Sequence, residues 1–223
     1  MPAPTDPTGQ AEGLTERQRV FADHLLTSGA VRFGAFRLKL HEQQPDAPLS
    51  PIYINLRVLR SFPDAVDATV DVLAELIAAH ELHFDLYADL PTAATPFVAV
   101  LSHRTRIPMI TPRQPKTHGL VEGTIDGAFT PGQIVLLVDD LVSHAESKLE
   151  TARVLEANGL RVHDIAVLID REQGGLAQAA AAGYALHAAV RISQLLAYFL
   201  RTGGIDHQRY VEVSTYFAQQ ARH

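Results

Sequence analysis

No cysteine occurs anywhere in the chain, so disulfides, thiolate nucleophiles and thiolate metal sites are excluded. That lack fits a cytoplasmic location. No apolar run approaches the roughly 20 residues that a membrane-spanning helix needs, so no membrane partner is expected. A basic excess is missing as well. Nineteen Lys and Arg stand against 25 Asp and Glu, for a formal net charge of -6. Broad nucleic-acid binding wants a basic face and is not expected here. A small anionic substrate remains compatible, because a local pocket can be positive on an acidic protein. The opening MPAPTDPTGQAEG lacks the basic-then-apolar order of a secretory signal. Its Pro, Gly and polar residues predict a disordered tail over 1–13.

What is present is an ordinary globular composition, 47% hydrophobic and 20% charged over 223 residues. We expect a single domain over 14–223. Thr15 and Gln18 form a capping-box pattern before Val20, Phe21, Leu25 and Leu26 at helical spacing, with Gly29 as the stop. A short extended stretch follows, then a polar loop over 41–50 and a strand over 52–56. Pro63 opens a helix to about Ala79, with Val66, Val70, Leu73 and Ile77 along one face. From there the chain alternates. Strands are predicted at 84–88, 108–111, 134–138, 162–168 and 186–189. Helices are predicted at 96–103, 147–158, 176–182 and 194–201, the last capped by Ser193. Residues 112–133 read as a largely polar connection, and 206–223 as a strand or helix on the edge. Short apolar strands alternating with helices imply an α/β fold with a mostly parallel central sheet flanked by helices. Ligands of such sheets bind where loops leave the carboxyl ends of the strands.

One segment concentrates chemistry at such an end: Val135-Leu-Leu-Val-Asp139-Asp140-Leu-Val-Ser143-His144-Ala145-Glu146-Ser147-Lys148. An apolar strand leads to two adjacent carboxylates, a short turn and a helix start. The helix start offers free N–H groups and partial positive charge to a phosphate, and Ser143 and Ser147 add hydroxyls. Adjacent carboxylates on a strand point to opposite sides. They suit a sugar diol, a Mg²⁺ shell or an ionic lock, while a plainer reading has them end the strand and cap the helix.

The segment 138–147 resembles the phosphoribosyl-pyrophosphate signature of type I phosphoribosyltransferases. Three more stretches are similar to orotate phosphoribosyltransferases in particular. They are Phe36-Arg-Leu-Lys39 with Ser50-Pro-Ile-Tyr53-Ile-Asn55-Leu-Arg57, then Pro112-Arg113-Gln-Pro-Lys116-Thr-His118-Gly119, and Val167-Leu-Ile-Asp170-Arg171-Glu-Gln-Gly174-Gly175. The resemblance implies the type I phosphoribosyltransferase fold, with a small N-terminal hood at about 30–60 and a core at about 61–204. It implies transfer of the phosphoribosyl group of phosphoribosyl pyrophosphate (PRPP) to orotate, giving orotidine 5′-monophosphate and pyrophosphate in pyrimidine biosynthesis.

By the same resemblance Asp139 and Asp140 hold the ribose hydroxyls, and Ser143, His144, Ala145, Glu146 and Ser147 cradle the 5′-phosphate. Arg113 also belongs to the PRPP site. Lys116 and His118 ride a loop that closes over the pyrophosphate, and Lys39, Tyr53 and Arg171 meet the base. Mg²⁺ is the implied cofactor, held mainly by the substrate and by Asp140 at most, and the implied assembly is a homodimer with shared active sites. Several positions depart from the family pattern. Ala145 and Glu146 stand in a turn where glycine is usual, Asp89 stands in the pyrophosphate loop, and the loop after Arg113 is short. Transfer to another base, or nucleotide binding without turnover, therefore stays open as an alternative.

Overall fold

The computed structural model describes residues 13–37, 46–113 and 125–220. Helix α1, Glu16–Thr27, begins as its capping box predicts. The Gln18 N–H donates to the Thr15 hydroxyl at 3.2 Å, and the Thr15 N–H donates to the Gln18 side chain at 2.8 Å. Gly29 ends the turn at a φ of +72°, which glycine adopts without steric cost.

Strands β1, Val31–Phe36, and β2, Ser50–Ile54, then pair antiparallel. The strand expected over 52–56 stops two residues early. Leu56–Ser61 coils into a 3-10 turn instead, because Leu56 and Leu59, three apart, are both buried by it. Pro63 opens α2, Pro63–Ala79, at the position where its missing N–H costs nothing.

The main sheet has six strands in the order β5-β4-β3-β6-β7-β8. They are β3 (Leu86–Asp89), β4 (Met109–Pro112), β5 (Ile125–Asp126), β6 (Ile134–Val142), β7 (Arg161–Asp170) and β8 (Ala185–Arg191). All pairings are parallel except β4 with β5. The two-residue β5 was not expected, since it is too short for any period to show. The remaining helices are α3 (Thr95–Thr105), α4 (Glu146–Ala157), α5 (Gly175–Ala181), α6 (Ile192–Thr202) and α7 (His207–Gln220). Ser193 is not the cap of α6. The helix starts at Ile192, and the Ser193 N–H and hydroxyl both donate to the Glu172 carboxylate. The carboxyl-terminal stretch is a helix, and it buries Val213, Tyr216 and Phe217.

The parity of β6 divides the core in two. Leu136 and Val138 join the larger cluster, which includes Phe21, Leu73, Phe97, Phe199 and the hood residues Val31 and Ile52. Val135 and Leu137 join the smaller one, with Ala152 and Leu155 of α4. Period-two alternation therefore sends successive β6 side chains to opposite helical layers. This is the α/β architecture expected, a mostly parallel sheet flanked by helices.

Candidate active site

The sequence placed the end of β6 at Val138, but the strand runs on to Val142 and carries both carboxylates inside it. Asp139 pairs in register with Val167 of β7. The pair therefore does not end a strand and cap a helix. It is held in the sheet by ladder hydrogen bonds, and the two side chains leave opposite faces of β6 while their carboxyls stay within reach of each other.

Asp139 lies on the α4 side. Its Oδ2 accepts from the Lys148 ammonium at 2.5 Å, and the two side chains are 6% and 5% exposed. Its Oδ1 accepts the Asp140 N–H at 2.8 Å. Asp140 is more open. Its Oδ1 accepts the Leu141 N–H at 2.8 Å. Burial pushes the Asp140 carboxyl up to about 7. The Asp139 charge adds to that rise, while Lys148 and the Leu141 N–H oppose it.

The turn after β6 shows how an alanine fits where glycine is usual. Ala145 is fully buried at φ -91° and ψ -2°, a right-handed conformation open to any residue. Its N–H donates to the Gln178 side chain of α5 at 2.8 Å. His144, Glu146 and Ser147 are exposed, so the Glu146 charge faces outward. No side chain caps α4, which leaves its first amides open at the sheet edge.

Arg171 follows β7 at the same edge. Its guanidinium donates to the Ser143 hydroxyl at 3.1 Å and stands 5.4 Å from the centre of the Phe217 ring. Its Nε is a buried donor without a partner among the described residues. Burial lowers the Arg171 pKa, opposed by the nearby Tyr216. Asp170 is buried, which raises its pKa, and it accepts the Glu172 N–H at 2.8 Å.

Other expected residues divide between engaged and outside. Arg113 is exposed and ion-paired with Asp126 across β4 and β5. Tyr53 is half-buried in the hood, 5.6 Å from the Phe36 ring, with the Arg32 guanidinium 5.1 Å above it. Asp89 is fully buried; Thr95 and Thr111 both donate to its carboxylate, so it faces the fold and not a ligand loop. Lys39, Lys116 and His118 lie outside the described residues. The structure thus gathers Asp139, Asp140, the 143–147 turn and Arg171 at one carboxyl edge.

Three residues without an assigned role also enter this edge: Lys148, Gln178 and Phe217. Lys148 was detectable in principle, since Lys148, Ala152 and Leu155 share the i, i+4, i+7 spacing of a buried face. Gln178 and Phe217 gave no such signal. A surface cleft bordered by His83, Asp85, Tyr87 and Thr105 opens at the opposite, amino-terminal edge of the sheet. Among the described residues, no three His, Asp or Glu side chains gather closely enough to hold a metal ion.

A strand carrying two carboxylates into a short turn and a helix start, on a mostly parallel sheet with a separate antiparallel pair, defines a type I phosphoribosyltransferase. The solved orotate phosphoribosyltransferase from Aeropyrum pernix overlays with a TM-score of 0.71 at 24% identity, over 83% of this chain and 99% of that one. No family model matches the chain. The orotate phosphoribosyltransferase of Thermococcus gammatolerans is 33% identical over 184 residues, which are 82% of this chain and 94% of that protein. The chain belongs to the orotate phosphoribosyltransferase family. Bovine uridine 5′-monophosphate synthase is 35% identical over 167 residues, or 75% of this chain. The chain spans only about a third of that longer protein, 34% of its length.

Proposed function

We propose that the chain transfers the phosphoribosyl group of PRPP to orotate, giving orotidine 5′-monophosphate and pyrophosphate. The observation that carries this reading is the meeting, at one sheet edge, of Asp140, the open α4 amino terminus and an Arg171 Nε that has no partner among the described residues. In the reaction the ribose–pyrophosphate bond breaks, its electron pair leaves with pyrophosphate, and a ring nitrogen of the base bonds to the sugar carbon. The family resemblance assigns the acidic pair, Asp139 and Asp140, to the ribose hydroxyls. The α4 amides with Ser143 and Ser147 receive the 5′-phosphate. Arg171, with Lys39 and Tyr53, receives the carboxylated base.

Lys116 and His118 of the closing loop, helped by Arg113, are the cations for the departing pyrophosphate, where charge develops. Mg²⁺ suits this site only as a substrate-held ion, with Asp140 as its one protein carboxylate, because no cage of three acidic or histidine side chains exists among the described residues. When bound it neutralises leaving-group charge. A homodimer that shares loops between sites, in the cytoplasm, completes the proposal.

A spectrophotometric assay of orotate loss with PRPP and Mg²⁺ tests it. Steady turnover supports the reading, and none at high enzyme concentration rejects it. A second reading, binding without turnover, draws on the Ala145 N–H being held by Gln178. Calorimetry that finds tight PRPP binding beside a dead assay would favour it.

A further inference from the structure

Lys148 is a buried ammonium that nothing in the proposed chemistry uses. It lies in the first turn of α4, next to the phosphate turn, yet it points into the fold at 5% exposure. An isolated ammonium at that depth would lose its hydration without return. Asp139 supplies that return at 2.5 Å.

The consequence falls on the acidic pair. Both oxygens of Asp139 are engaged, Oδ2 by Lys148 and Oδ1 by the Asp140 amide. Asp140 leaves the opposite face of β6, and its Oδ1 accepts the Leu141 N–H. Lys148 offsets the Asp139 charge, so Asp140 is the carboxyl of the pair left for a ligand at the sheet edge. The same contact fixes the backbone, since the carboxylate that Lys148 holds is the one that receives the Asp140 N–H.

We propose that Lys148 is a positioning residue of the ribose site: it holds Asp139 inside the fold and leaves Asp140 as the single carboxylate offered to the ribose diol of PRPP. This rests on the transferase reading above and narrows it, because the family resemblance gives both carboxylates to the ribose. A rival role for Lys148, swinging out to grip the 5′-phosphate, makes the opposite prediction for a double variant.

The experiment is a double-mutant cycle on the full chain with PRPP and Mg²⁺, read by calorimetry and by KM for each substrate. Lys148→Met strands a buried carboxylate, and PRPP affinity falls on the order of tenfold or more, with KM for orotate little changed. Asp139→Asn strands the ammonium and weakens PRPP similarly. Asp139→Asn/Lys148→Met keeps an acceptor for the Asp140 N–H and removes both charges. PRPP affinity then returns to within about threefold of the unaltered chain. Thermal melts of all four proteins report folding, and the double variant, which has lost both charges of the pair, is the one expected to melt nearest the parent. A double variant as weak as either single one overturns the proposal, because Asp139 or Lys148 would then touch PRPP directly. An unaltered chain that binds no PRPP overturns this proposal and the transferase reading together, whereas failure of the variant pattern alone overturns only this proposal.

Discussion

The Arg171 guanidinium stands 5.4 Å from the centre of the Phe217 ring, so the carboxyl-terminal helix closes on the residue that the family resemblance assigns to the base. Arg171 also donates to Ser143, and it therefore joins the phosphate turn to α7. The ring face attracts a half-buried guanidinium by about 0.5–2 kcal/mol and fixes its plane. Phe217→Leu keeps the buried apolar volume and removes that face. It should raise KM for orotate roughly 2- to 30-fold, the same energy expressed as a ratio, with KM for PRPP little changed. Arg171→Ala removes the charged donor itself and should cost the base about 1.5–3 kcal/mol of binding. Steady-state kinetics with each substrate varied in turn separates these effects. Equal changes for both substrates would show that α7 acts on the whole fold.

Asp140 gives the chain a pH-dependent stability. Its folded carboxyl titrates at about 7, against 3.8 for the free side chain. Between those values the folded chain holds a proton that the unfolded chain has lost. Stability from this group is fully present below about pH 4 and is lost as pH rises through 7. Asp140→Asn cannot ionise. The variant should melt close to the parent near pH 4 and above it at pH 8, while losing PRPP affinity. Melting curves at the two pH values check the sign, and a gap of the same size at both would place the ionisation elsewhere.

Most of the sheet was legible because its strands are apolar on both faces, as in 134–138 and 162–168. Strand ends were less so. A polar pair inside an otherwise apolar strand reads as a terminus, whereas the ladder with β7 carries Asp139 and Asp140 inside β6. The acidic pair, the turn and Arg171 were visible as site residues from their chemistry and order alone. Their partners were not. Lys148, Gln178 and Phe217 reach the site from 33 residues away or more in two of the three cases, Gln178 from Ala145 and Phe217 from Arg171, and no local pattern encodes such a meeting. Asp89 misled in the other direction. In the pyrophosphate loop a carboxylate suggests repulsion of pyrophosphate or a hold on Mg²⁺, but Asp89 ends β3 with its carboxylate taken by Thr95 of α3 and Thr111 of β4.

That burial of Asp89 makes a prediction of its own. Thr95 of α3 and Thr111 of β4 both donate to its carboxylate, tying three elements at one point. Asp89→Ala leaves two hydroxyls without their acceptor and should cost about 1–3 kcal/mol of stability. Asp89→Asn keeps one acceptor oxygen and should cost less. Denaturant titration gives both values. Neither change should alter PRPP affinity in protein that remains folded, and a tenfold loss in the Asn variant would return Asp89 to the ligand site.

Lys116 lies on the loop assigned to the departing pyrophosphate. A cation that acts where charge develops contributes mainly in the transition state. Lys116→Ala should therefore lower kcat by on the order of 100-fold or more, with a much smaller change in KM for PRPP. An unchanged kcat removes Lys116 from the chemistry.

Gly175 shows how closely the two site turns are packed. A Cβ there would collide with Cγ2 of Val142 and stand 3.1 Å from the Ser143 carbonyl oxygen. The Val142 methyl is fully buried and has little room to turn away, and the carbonyl belongs to the backbone of the phosphate turn. Relief must come from moving α5 or the turn. Since α5 also carries Gln178, which holds the Ala145 N–H, either movement disturbs the same loop. Gly175→Ala should cost about 1–3 kcal/mol of stability, as overpacking does. It should also weaken PRPP, because the displaced atoms shape the turn that the proposal gives to the 5′-phosphate. Gly174→Ala offers the contrast. Nothing lies within 4 Å of its added Cβ, but its φ of +94° strains any other residue. That variant should lose stability through its own backbone while leaving Ser143 in place. Calorimetry with PRPP on the folded fraction of each separates the two, and equal losses of affinity would mean that the Gly174 turn, not the Gly175 contact, sets the shape of the phosphate seat.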